Sequence, residues 1–151
     1  MAGHTYSNIL LHIIFSTKER RPTIQTAFRD RLFEYLGGIA REEFGRALRV
    51  GGTENHVHGL IVLRPSISVS DAMMKWKSLS SGWLHETFPG AGEFGWQNGY
   101  GAFSVSESNA KRVIQYIDGQ AAHHKEVSFE DEFIRFLERH GIQYDPRYVW
   151  D

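Results

Sequence analysis

Two histidines flank a single valine at His56-Val57-His58. On an extended strand, residues two apart share a face, so both imidazoles stand side by side. Val57, Gly59 and Ile61 then face the other way, into a core. Two imidazoles on one rigid strand form a ready chelate for a divalent cation. The competing reading is a hydrogen-bonded structural pair. Tyr116 is the second signal. Ala110, Val113, Ile114 and Ile117 make an apolar stripe at helical spacing, and Tyr116 falls on its border. Gln120 follows four residues later along the same edge. One reading is an amphipathic tyrosine with its hydroxyl in water. The other is a hydroxyl nucleophile beside a carbonyl directed at a metal. The remaining histidines carry less. His4 and His85 fit no pattern, and His12 reads as a hydrogen-bonded core residue. His123 and His124 are adjacent, so on a helix they diverge by about 100° and chelate poorly. His140 near a helix end suits the dipole there.

Other chemistry is excluded by absence. The 151 residues contain no cysteine, which removes disulfides, thiolate zinc sites, iron–sulfur clusters and cysteine nucleophiles. There is no G-x-x-x-x-G-K-[ST], G-x-S-x-G or H-E-x-x-H pattern. Seventeen basic against eighteen acidic residues exclude a generally polycationic surface. The charge is nevertheless segregated: residues 16–31 carry a net +3 and residues 121–151 a net −3. No apolar run approaches the roughly 20 residues that span a bilayer. Met1–Ser7 has no signal-peptide core, so the expected address is cytoplasmic.

The elements that must position these residues follow from periodicity. An apolar content of 41% suffices for one domain, expected over residues 1–151. Ile9–Phe15 predicts a strand buried on both faces. Pro22 and Thr23 open a helix with Phe28, Leu32, Leu36, Ile39 and Phe44 inward, weakened by Gly37 and Gly38. Leu48–Gly51 predicts a short strand, Gly52–Asn55 a turn and His56–Leu63 a third strand. Ser70 is the expected cap of a helix striped by Met73, Trp76, Leu79, Trp83 and Phe88. After a glycine-rich stretch, Ala102–Val105 predicts a fourth strand. Ser106 caps a helix to about Gln120, and Ser128 with Asp131 caps a last helix facing inward through Phe129, Phe133, Phe136 and Leu137. The order β-α-β-β-α-β is the ferredoxin-like split arrangement, shared with RNA-recognition modules. It is an α+β antiparallel sheet with helices on one face, plus C-terminal helices, one carrying the tyrosine.

Three segments also carry a resemblance: His12-Ile13-Ile14-Phe15-Ser16-Thr17-Lys18-Glu19-Arg20-Arg21-Pro22, Glu54-Asn55-His56-Val57-His58-Gly59-Leu60 and Tyr116-Ile117-Asp118-Gly119-Gln120-Ala121-Ala122-His123-His124. Val69–Ser80, around Lys75-Trp76-Lys77, and Trp96–Ser106 support it. Together, in order and over nearly the whole chain, they resemble the IS200/IS605-type tyrosine transposases. The nearest subgroup is the transposase-like proteins associated with repetitive extragenic palindromes. The resemblance implies that His56, His58 and Gln120 are metal ligands and Tyr116 the single nucleophile. Two departures stand out. Asn55 occupies a position where the family often has aspartate. Ile117-Asp118-Gly119 separates Tyr116 from Gln120, where asparagine commonly precedes the glutamine. The asparagine changes the electrostatics around the ligands, and the glycine loosens the helix end that carries Gln120.

The chemistry so implied is strand cleavage by transesterification. The Tyr116 oxygen attacks a phosphate in single-stranded DNA, keeps the 5′ phosphate and releases a 3′ hydroxyl. The bond conserves the energy needed for rejoining. The family implies Mg²⁺ or Mn²⁺, and a ligand set with two imidazoles makes Mn²⁺ the easier of the two. Lys18, Arg20 and Arg21, with Lys75 and Lys77, are the expected contacts to a hairpin backbone. Bases would stack on Trp96, Tyr100 or Phe103, unless those rings pack the glycine-rich loop. The family also implies a homodimer, in some members with the tyrosine helix of one subunit completing the histidine site of the other. Two alternatives remain at this level: a host-retained relative that cuts palindromes without moving an element, and a non-catalytic module for single-stranded nucleic acid.

Overall fold

The alternation in the first strand sets the architecture. In the computed structural model, which describes residues 4–150, β1 spans Ile9–Ser16 and is buried on both faces. Met1–Gly3 and Asp151, the ends of the expected domain, lie outside the described residues. The helix α1 (Thr26–Glu43) leads to β2 (Gly45–Gly52) and β3 (His56–Leu63). Then come α2 (Val69–Thr87), β4 (Gly101–Ser104), α3 (Ala110–Asp118), the single turn α4 (Gln120–His123) and α5 (Phe129–Arg139). The four strands form one antiparallel sheet in the order β2-β3-β1-β4. This is the expected ferredoxin-like arrangement.

Each face of the sheet has its own core. Ile13, Phe15, Val57 and Ile61 meet α1 and α2 around Trp76, whose indole N–H donates to the Leu36 carbonyl at 2.8 Å. Leu10 and Leu60 lie under Ala110 and Ile117 of α3, while Ile14 and Phe103 lie under Phe129, Phe133 and Leu137 of α5. The C-terminal helices therefore cover the second face, and the polar residues of β1 and β3 are sealed between them. Two glycines permit the close approaches. A Cβ on Gly59 would lie 2.5 Å from the Trp76 ring, and one on Gly51 would lie 2.9 Å from Ile117 Cγ2. Gly51 thus lets the end of α3 settle onto β2.

Several boundaries differ from expectation. Ser68, not Ser70, caps α2, its hydroxyl accepting from the Asp71 N–H at 3.1 Å, because Ser70 already lies in the first turn. Leu79 is 42% exposed, and Ser80 holds the inward position instead, its hydroxyl bonded to the Trp76 carbonyl. α1 begins at Thr26 because Ile24 N–H is committed to the Glu54 carbonyl. β2 is longer than Leu48–Gly51; an irregularity between Ala47 and Arg49 breaks its alternation. The third helix stops at Asp118, since Gly119 ends it and Gln120 starts a separate turn. Ser128 caps α5 as expected, accepting from the Asp131 N–H. Among the described residues, no helix is long and apolar enough to cross a membrane.

Candidate active site

β3 places His56 and His58 on the face covered by the C-terminal helices, both fully buried. β1 brings His12 alongside, and its Nε2 lies 2.7 Å from His58 Nδ1. That bond works with either tautomer pair and turns His58 Nε2 into the pocket. His56 Nδ1 is 2.9 Å from both Asn55 Oδ1 and Thr53 Oγ1. Asn55 Oδ1 can only accept, so Nδ1 carries the proton and Nε2 presents a lone pair. Burial lowers the pKa of His12 and His56 to about 3 and lowers that of His58, so all three rings are neutral.

The tyrosine segment closes the pocket. Gln120 Oε1 lies 2.8 Å from His56 Nε2, while its Nε2 donates to Glu132 Oε2 at 3.1 Å. The second bond fixes which way the amide points. The break at Gly119 therefore does not separate Gln120 from the histidines. The Tyr116 hydroxyl donates to Glu132 Oε2. Burial, and next the adjacent carboxylate, push its pKa up, so the phenol is neutral here. Tyr116, His56, His58 and Gln120 are thus gathered within one chain.

Glu132 was not foreseen, and it is the hub. It is 2% exposed on α5. Its Oε1 lies 2.9 Å from His58 Nε2, 3.2 Å from His124 Nε2 and 3.7 Å from His56 Nε2. His123 Nε2 lies 3.3 Å from Oε2. Burial alone would raise its pKa, but the imidazoles of His124 and His58 outweigh that and hold it well below the usual carboxylate range. Its position was legible in principle. Phe129, Glu132, Phe133, Phe136 and Leu137 follow helical spacing, so an acid inside an apolar stripe had to find buried partners. The adjacent histidines, expected to diverge, thus meet the same carboxylate, His124 at Oε1 and His123 at Oε2.

The site suits a cation. Ligand atoms of His56, His58, His124 and Glu132 all lie within 4.8 Å of one another. The separations of 2.8–3.7 Å resemble the edges of a coordination shell with bonds of about 2.1 Å. His56 Nε2 and Gln120 Oε1 face each other as two acceptors, an arrangement a positive ion relieves. His124 Nε2 is buried and, despite its proximity to Glu132, makes no hydrogen bond.

The expected DNA contacts divide. Lys18, Arg20 and Arg21 follow β1 in a tight turn. Lys18 is exposed, Arg21 pairs with Glu19 and Glu93, and Arg20 lies near Glu130 and over the Trp150 ring. Lys75 and Lys77 stand on α2, across the sheet from the histidines. Lys75 pairs with Glu43, and Lys77 donates to the carbonyls of Gln97 and Gly99. Trp96 and Phe103 are core residues at 9% and 4% exposure, so packing, not base stacking, explains them; Tyr100 is half-buried. A cleft of about 440 Å³ opens beside Tyr116, lined by Asn109, Arg112, Phe136 and Arg139 among others. Neither of these arginines stood out in the sequence.

The profile of the IS200-like transposases matches residues 5–120. The chain belongs to that family. This IS200-like transposase is 31% identical over 124 residues to the transposase for insertion sequence element IS200 of Salmonella typhimurium, covering 78% of this chain and 80% of the relative. The Salmonella typhi transposase for the same element matches equally. Solved structures share the fold. A candidate transposase from Deinococcus radiodurans R1 aligns with a TM-score of 0.62 and 24% identity, over 78% of this chain and 94% of that one. A REP-associated tyrosine transposase bound to a REP hairpin aligns with a TM-score of 0.58 and 14% identity, over 84% and 76%. The family match of this IS200-like transposase ends at Gln120, so His123, His124 and Glu132 come from beyond it.

Proposed function

We propose that this transposase cleaves and rejoins single-stranded DNA at hairpin-flanked sites through a 5′-phosphotyrosine formed on Tyr116, with a divalent cation, Mn²⁺ or Mg²⁺. The observation that carries this reading is the convergence of Tyr116, the His56–His58 pair and Gln120 in one buried pocket. His56, His58 and Gln120 would hold the cation. When bound, the ion polarises the scissile phosphate and offsets the charge that builds on it.

The chain's own residues do the rest. A single strand would lie along the cleft of about 440 Å³ beside Tyr116, where Arg112 and Arg139 would meet its phosphates. Lys18, Arg20 and Arg21 lie at the end of β1 next to the His56 end of β3, placed to hold a flanking hairpin. The Tyr116 oxygen forms a bond to phosphorus as the bond from phosphorus to the 3′ oxygen breaks. Overall, the phenolic proton ends on the released 3′ oxygen. Attack by a 3′ hydroxyl reverses the step and restores the phenol, so rejoining needs no nucleotide cofactor. The hairpin partner is also supported by the relative solved on a REP hairpin.

Incubation with a hairpin-bearing oligonucleotide and Mn²⁺ should give a covalent protein–DNA adduct on a denaturing gel. Tyr116→Phe should give none. An adduct that survives this substitution would show that another residue, or none, is the nucleophile.

A further inference from the structure

We propose that Glu132 is an additional ligand of the cation and physically ties it to the nucleophile. The inference rests on the metal-dependent reading above. The carboxylate is split between two tasks. Oε1 faces the imidazole nitrogens of His58, His124 and His56 at 2.9, 3.2 and 3.7 Å. Oε2 faces the Tyr116 hydroxyl, with Gln120 Nε2 at 3.1 Å. A cation among the imidazoles would meet Oε1, and the other oxygen of the same rigid group would still hold the phenol. The ion and the nucleophile would thereby share one carboxylate.

Two further observations support a ligand role over a purely structural one. His124 Nε2 has no hydrogen-bond partner although its side chain is only 10% exposed, and it is aimed at the same space. It lies 3.2 Å from Glu132 Oε1 but outside hydrogen-bond geometry, so the pair leaves room for a group between them. The donor chemistry agrees. Imidazoles and a neutral amide favour the softer transition metals, whereas a carboxylate adds the hard, anionic oxygen that suits Mn²⁺ or Mg²⁺. Both His124 and Glu132 lie outside the stretch matched to the family, so α4 and α5 supply a supplement to the ligands carried by β3 and Gln120.

The test is titration of metal-free protein with Mn²⁺ alone, followed by the loss of the free-ion paramagnetic resonance signal. The wild type should bind one ion, and His58→Ala should abolish binding. Glu132→Gln should weaken it at least about tenfold, a typical cost even for lost outer-shell partners of a metal. Glu132→Gln affinity equal to wild type would overturn the proposal while leaving the metal reading intact. A wild type that binds no Mn²⁺ would overturn both. Should Glu132→Gln fail to fold, Glu132→Asp, which keeps the charge but withdraws the oxygens, replaces it. A Kd unchanged from wild type in that variant overturns the proposal; a weakened one supports it.

Discussion

At the scale of single residues, the pocket makes a statement about pH. His12 and His56 have pKa values near 3 in the folded chain, against about 6.5 when unfolded. Between those values the unfolded chain binds protons that the folded chain refuses, so stability is full above pH 6.5 and is lost as pH falls toward 3. Each such proton contributes a slope of up to about 1.4 kcal/mol per pH unit. His58 and Glu132, also lowered, act in the same direction; His124, raised because the Glu132 carboxylate outweighs its burial, opposes them. Urea unfolding of chelator-treated protein should therefore show lower stability at pH 5 than at pH 7. Equal stability at the two would mean that the rings take up protons as readily in the folded chain as in the unfolded one. The sequence showed the paired histidines, the tyrosine and the glutamine because strand and helix periodicities put them on definable faces. It showed Glu132 only as an acid in an apolar stripe, since its partners lie far away on β3, with His58 74 positions before it, or just before α5. What a lone charge in a stripe will meet depends on tertiary packing, which spacing does not encode.

At the scale of elements, Tyr116 is placed by the seat that β2 offers to α3. A Cβ on Gly51 would meet Ile117 Cγ2 at 2.9 Å and the Ile117 carbonyl oxygen at 3.1 Å. The neighbour is partly backbone, so α3 itself must give way. Gly51→Ala should cost about 1–3 kcal/mol, the usual range for overpacking, seen as a lower thermal midpoint. It should also slow adduct formation by more than the unfolded fraction explains, because Ile117 adjoins Tyr116, the proposed nucleophile. A variant with normal cleavage kinetics would show that the seat does not set the tyrosine. The order of elements was legible because each apolar period is distinct. Boundaries were less so: two serines compete for the α2 cap, and the irregularity in β2 hides its alternation. The break at Gly119 was foreseeable from the glycine. Gln120 reaches His56 regardless, as the resemblance implied, because the chain resumes as a separate turn.

At the scale of the whole molecule, one chain brings the histidine strand and the tyrosine helix together. Exchange of that helix between subunits is therefore not needed to complete the pocket. Mixing His58→Ala protein with Tyr116→Phe protein should yield no adduct, since each chain lacks one half of its own site. Restored adduct in the mixture would show that helices are exchanged between copies. The segregated charges also meet in space: Arg20 of the basic stretch lies 3.9 Å from Glu130 of the acidic one. Among the described residues, α5 follows every other part of the pocket in sequence, so its carboxylate is synthesised after the histidine strand and the phenol. The pocket is therefore complete only once α5 has been made and has folded over β3.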